Sequence, residues 1–115
     1  MRIQRGALVV AAVAALVGVP LLGGLALADN KHVSEALEHA KEAVSHGKQG
    51  HADALVKHAE GALKHAEAAQ KDVKNPHLDE GVKELQAAVE HGKAGHADVA
   101  TKHAEGAVTH LSEVK

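Results

Sequence analysis

Eleven histidines carry most of the chemistry available to this chain: His32, His39, His46, His51, His58, His65, His77, His91, His96, His103 and His110. Imidazole binds divalent transition metals through either ring nitrogen, and a histidine-rich tract is read first as a metal-binding one. The chain has no cysteine, and its one methionine is Met1. Thiolate ligation of Cu(I), iron–sulfur clusters and Cys-x-x-Cys-His haem attachment are therefore excluded, which leaves nitrogen and oxygen donors.

The spacing of the histidines repeats. Shifting the first six by 45 positions reaches 77, 84, 91, 96, 103 and 110, where only Glu84 is not histidine. His46-Gly47-Lys48 recurs as His91-Gly92-Lys93, Gly50-His51-Ala52-Asp53 as Gly95-His96-Ala97-Asp98, and Lys57 to Ala62 as Lys102 to Ala107. One unit is written twice, over about 31–70 and 76–115.

Most histidine intervals are seven residues, and apolar residues recur at three and four: Val33, Leu37, Ala40 and Val44, then Ala52, Val56, Ala59, Leu63 and Ala66. This is a helical stripe. The glycine pairs at Gly47 and Gly50, and at Gly92 and Gly95, are expected to end one helix and start the next, and Pro76 separates the units. Helices are predicted over 30–46, 51–73, 76–91 and 96–114. The fold class is all-α, an antiparallel four-helix bundle made of two duplicated helical hairpins.

With Val33 and Ala40 at heptad position d, Leu37 and Val44 take a, Ala36 and Ala43 take g, and the first-helix histidines take c, on the flank of the apolar stripe. If the helices of a hairpin meet through their alanine-rich g edges, the c rows run side by side. They then pair His32 with His65, His39 with His58 and His46 with His51, and in the second hairpin His77 with His110, Glu84 with His103 and His91 with His96. Rungs fall two helical turns apart, about 10 Å. Glu35 and Glu42 lie at f, between successive histidines, where a carboxylate can ligate an ion or orient a ring. In the second helix Ala54, Gly61 and Ala68 occupy f and are expected to leave room for an ion. Glu84 is either a lost ligand or an oxygen donor, and the His46/His51 and His91/His96 tips are either turn caps or ligands.

Residues 1–28 read differently. Arg2 and Arg5 precede a small and apolar run from Gly6 to Val19, Pro20 and Gly23-Gly24 interrupt it, and Ala26-Leu27-Ala28 has the small-x-small form of a leader cleavage site. An uncleaved anchor is the alternative, because Gly6 to Leu27 is nearly long enough to span a bilayer. Cleavage leaves a His-rich domain over 29–115, periplasmic or otherwise exported, with no stable membrane association. It holds 11 lysines against 15 acids. This acidic balance, without any aromatic residue, argues against nucleic acid as a partner.

The repeated Lys-His-Ala-Glu segments, Lys57 to Glu60 and Lys102 to Glu105, and the His-Gly-Lys-x-Gly-His tips resemble the small metal-binding protein family of bacterial periplasm. The resemblance implies a monomeric four-helix bundle that binds several divalent ions, copper most notably, in metal management. Carried over, the ligands are the eleven histidines, and Glu84 departs from the pattern.

The leading expectation is thus a buffer or scavenger of divalent metal ions. Cu(II) should bind most tightly, with Ni(II) and Zn(II) following, because imidazole suits all three and the affinity order of divalent ions peaks at copper. Two other classes compete with it. Ferritin-like di-iron enzymes share the bundle but need Glu-x-x-His motifs, and this chain has none, so no enzymatic activity is expected. The alternative reading is a pH-responsive helical interaction module that works through histidine protonation.

Overall fold

The computed structural model describes residues 30–115; the expected leader and its cleavage site lie outside the described residues. Four helices follow in order: α1 (Lys31–Lys48), α2 (Ala52–Gln70), α3 (Pro76–Lys93) and α4 (Ala97–Ser112). Each packs against two neighbours, α1 on α2 and α4, and α3 on α2 and α4, which closes an all-helical bundle. None of the described helices is long and apolar enough to cross a membrane.

Helix starts and turns have local causes. Asn30 caps α1 and Asn75 caps α3, each in an extended conformation, with the side-chain oxygen accepting the amide N–H of His32 and of His77 at 2.8 Å. Pro76 stands at the first position of α3, where its missing N–H costs nothing.

The helices run past the ends expected from the glycine pairs. Gly47 and Gly92 lie inside α1 and α3, and the chain turns instead at Gly50 and Gly95, with φ +81° and +86°. His51 N–H donates to His46 C=O at 2.9 Å and Gly50 N–H to Gly47 C=O at 2.9 Å, and the same two bonds recur from His96 to His91 and from Gly95 to Gly92. This is the Schellman closure, in which a left-handed residue lets the chain satisfy the last helical carbonyls.

The core is narrower in side-chain size than a leucine-rich bundle, and its centre is displaced from the predicted stripe. Buried residues of α1 are Val33, Ala36, Ala40, Ala43 and Gly47, and those of α2 are Leu55, Ala59, Ala62, Ala66 and Ala69. These are d and g positions; the a residues Leu37, Val44, Val56 and Leu63 are only half-buried and pack at its margin. Small side chains at the centre let the backbones approach closely, and the larger aliphatics then fit better along the seams between hairpins. The four large fully buried residues are Leu55, Leu78, Leu85 and Leu111.

Gly47 and Gly92 serve this approach. A Cβ on Gly47 would collide with Thr101 Oγ1 and approach Leu55, and one on Gly92 would come within 2.5 Å of Val56 Cγ2. Val56 and Thr101 are themselves 45 positions apart, as are Gly47 and Gly92. The surface ion pairs Lys48–Glu105 (3.5 Å) and Lys93–Glu60 (3.2 Å) obey the same offset. These α1–α4 contacts thus have their counterparts between α3 and α2. Alanine favours a helix over glycine by about 1 kcal/mol, yet Gly47→Ala and Gly92→Ala are each expected to destabilise the bundle by about 1–3 kcal/mol through overpacking. Urea unfolding followed by circular dichroism checks this; a variant as stable as the parent would show that the seam can open at little cost.

Candidate metal centre

The caps and turns that shape the hairpins also place the ends of the histidine rows. His32 and His77 are held in the first turns of α1 and α3 by the asparagine caps, while His46 and His91 meet His51 and His96 across the Schellman turns. His51 and His96 make no side-chain capping bond, so the tip imidazoles are not turn caps. The other histidines flank the alanine seam and are half-buried, with one side against protein and one open to solvent.

All six expected pairs meet. Ring centroids are 5.3 Å apart for His32/His65, 5.9 Å for His39/His58 and 6.2 Å for His46/His51; in the second hairpin they are 5.6 Å for His77/His110 and 6.2 Å for His91/His96. Glu84 takes its place opposite His103, with Oε1 2.8 Å from Nδ1. The sequence reading missed the diagonals: His39 stacks on His65, His46 on His58 and His91 on His103, at 5.6, 5.0 and 5.2 Å with nearly parallel rings. The rows are staggered, so in the first hairpin six rings form one unbroken zigzag from His51 to His32.

Two clusters in this hairpin have the donor set of a metal site: His32, Glu35 and His65, and His39, Glu42 and His58, with one donor atom from each residue lying within 4.8 Å of the other two. In the first, the Nδ1 atoms of His32 and His65 are 3.1 Å apart, and Glu35 Oε1 is 3.1 Å from His65 Nδ1 and 4.0 Å from His32 Nδ1. Two facing nitrogen lone pairs repel unless a proton or a cation lies between them. At metal–nitrogen lengths of about 2.0–2.1 Å, donors around a tetrahedral ion are about 3.3 Å apart, close to the shorter separations here. In the second cluster Glu42 Oε1 is 3.1 Å from His58 Nδ1 and 3.5 Å from His39 Nδ1.

His39 Nδ1 is buried and has no hydrogen-bond partner, and the same holds for His46 Nδ1 at the tip. Leaving a buried polar atom unpaired costs about 1–3 kcal/mol, a cost that coordination of a cation would remove. The space over Gly61, expected to be open for an ion, is filled by the His39 ring, whose Nδ1 would lie 3.4 Å from a Cβ there. Glu42 Oε1 is the carboxylate oxygen near that ring, 3.5 Å from His39 Nδ1.

The second hairpin differs in composition and therefore in geometry. Glu84 lies against Gly106, where an added Cβ would be 3.0 Å from its carboxyl carbon, and its oxygen faces His103. Position 87, the counterpart of Glu42, is alanine, so this rung has two donors and no third. Glu80, the counterpart of Glu35, lies 3.8 Å from Lys83. A further carboxylate escaped the sequence reading: Glu113 Oε1 is 3.1 Å from His77 Nε2. Applying the f-position argument to α4, three residues after His110, would have found it.

Paired imidazoles with intervening carboxylates on an all-helical bundle are the donor set of a metal-binding protein that uses nitrogen and oxygen ligands. The family model described as small metal-binding protein matches residues 7–114, and the chain belongs to that family. No individual curated protein matches the chain.

If two imidazoles and the carboxylate between them make a site, the middle rung of the second hairpin can be given one. Glu84→His combined with Ala87→Glu should raise the number of Zn(II) ions held per chain by one, and Glu42→Ala should lower it by one, both counted by native mass spectrometry. An unchanged count in a folded double variant would refute this donor rule.

Proposed function

We propose that the chain is exported by removal of residues 1–28 and works in the periplasm, as a monomer, to buffer or scavenge divalent transition metals, Cu(II) most tightly. The observation that carries this reading is the pair of His–Glu–His clusters on the open flank of the first hairpin. Their donors are borderline imidazole nitrogens with one carboxylate each, a set that favours copper among divalent ions and accepts nickel and zinc. The family supports metal ions as the partners. The half-open clusters also favour exchange, because ions can enter and leave without unfolding the bundle.

Buffering requires several sites of graded affinity, and the differing rungs supply them. Calorimetric titration of the metal-free mature chain with Cu(II), Ni(II) and Zn(II) is expected to show more than one Cu(II) event, with copper tightest. An ion at a hundred times its dissociation constant stabilises the fold by about 2.7 kcal/mol per site, so the melting temperature should rise with Cu(II). Binding should weaken as the solution is acidified, because a protonated ring has no lone pair to give. No more than one weak Cu(II) event at neutral pH would overturn the proposal. Amino-terminal sequencing of the exported protein, expected to begin at Asp29, checks the leader.

A further inference from the structure

The open end of the second hairpin has a different arrangement from that of the first. In the first, Glu35 approaches the same Nδ1 atoms through which His32 and His65 face each other. In the second, His77 Nδ1 and His110 Nδ1 are 3.4 Å apart, while Glu113 lies against the opposite nitrogen, His77 Nε2, at 3.1 Å. One ion cannot take both nitrogens of one imidazole, so an ion between the Nδ1 atoms leaves Glu113 outside its coordination sphere.

The sequence accounts for the exchange of roles. Glu38 of the first unit is replaced by Lys83 in the second, and Ala68 by Glu113. Glu80 lies 3.8 Å from Lys83, and the carboxylate beside the His77 ring comes from the end of α4. A carboxylate beside Nε2 favours the tautomer with its hydrogen on Nε2, which leaves the Nδ1 lone pair free and aimed at His110; carboxylates support metal-bound histidines in this way.

The geometry points to Glu113 as a positioning residue for the His77/His110 pair, acting through His77 Nε2 so that the two histidines ligate a divalent ion through Nδ1. This rests on the reading that the imidazole pairs take divalent ions. The site has fewer direct protein donors than the His32/Glu35/His65 cluster, so it should hold its ion less tightly and fill later.

Long-range proton–nitrogen spectra of the ¹⁵N-labelled full chain, titrated with Zn(II) in a buffer where imidazoles are neutral, test it. Metal-free His77 should be mainly the Nε2–H tautomer, and Zn(II) should shift Nδ1 of His77 and His110 after the His32 and His65 signals have moved. Glu113→Ala should erode the tautomer preference and weaken Zn(II) at this pair about 10–100-fold, the range for loss of such a support. Glu113→Gln, which keeps an acceptor oxygen, should recover part of that loss.

Zinc on His77 Nε2, or Gln failing as fully as Ala, would overturn the positioning role. If His32 and His65 respond while His77 and His110 do not, this site is absent. If none of the four responds, the general metal-binding reading fails instead. Circular dichroism of the variants separates these outcomes from loss of fold.

Discussion

The close approach of helix backbones through a seam of alanine and glycine governs the rest of this molecule. A bundle filled with leucine at a and d would hold its helices farther apart and leave c positions in solvent. Here d and g carry the seam, with Ala36, Ala40 and Ala43 on α1 facing a partner that presents Ala59, Ala62 and Ala66. The imidazoles beside it are drawn into contact, half covered by protein and half open. The same small residues leave little apolar surface to bury, so hydrophobic stabilisation per residue is low. A fold built this way gains proportionally more from a bound ion than a well-filled one.

The duplication distributes this logic unevenly. The interhelical contacts keep their 45-residue correspondence, with Gly47 on Thr101 and Gly92 on Val56. Steric fit between backbones tolerates few alternatives, and the two hairpins can close on each other only if both halves of the interface persist. Flank residues are freer. Glu42 against Ala87, Glu38 against Lys83 and Ala68 against Glu113 change the donors without touching the seam. One scaffold therefore presents two ladders of different composition.

Much of this was legible in the sequence because helical periodicity ties spacing to direction. The c register of the histidines, the hairpin connections and the antiparallel pairing all follow from intervals of seven and five. Helix ends were less legible: Gly47 and Gly92 look like terminators, but only a positive φ shows which glycine turns the chain, and that role falls to Gly50 and Gly95. The marginal placing of the a residues Leu37, Val44, Val56 and Leu63 depends on interaxial distance, a property of two facing surfaces together. The stacked diagonals depend on the stagger of the rows, and the pairing of Glu113 with Nε2 on the orientation of one ring; neither is encoded in spacing along one helix.

The rungs of a hairpin differ in the length of chain they enclose. The tip pair closes within one turn of the backbone, whereas the middle and open-end pairs are 19 and 33 residues apart. Loop-closure entropy grows with the logarithm of that separation, so the cost of bringing the donors together rises by about 1.7 kcal/mol from the tip to the open end. An ion bound at the open end would tie together segments that the unfolded chain keeps far apart, and in a protein without cysteine it would act as a reversible cross-link in place of a disulfide. On the proposed function, metal supply would then add to how firmly the hairpin is fastened at that end.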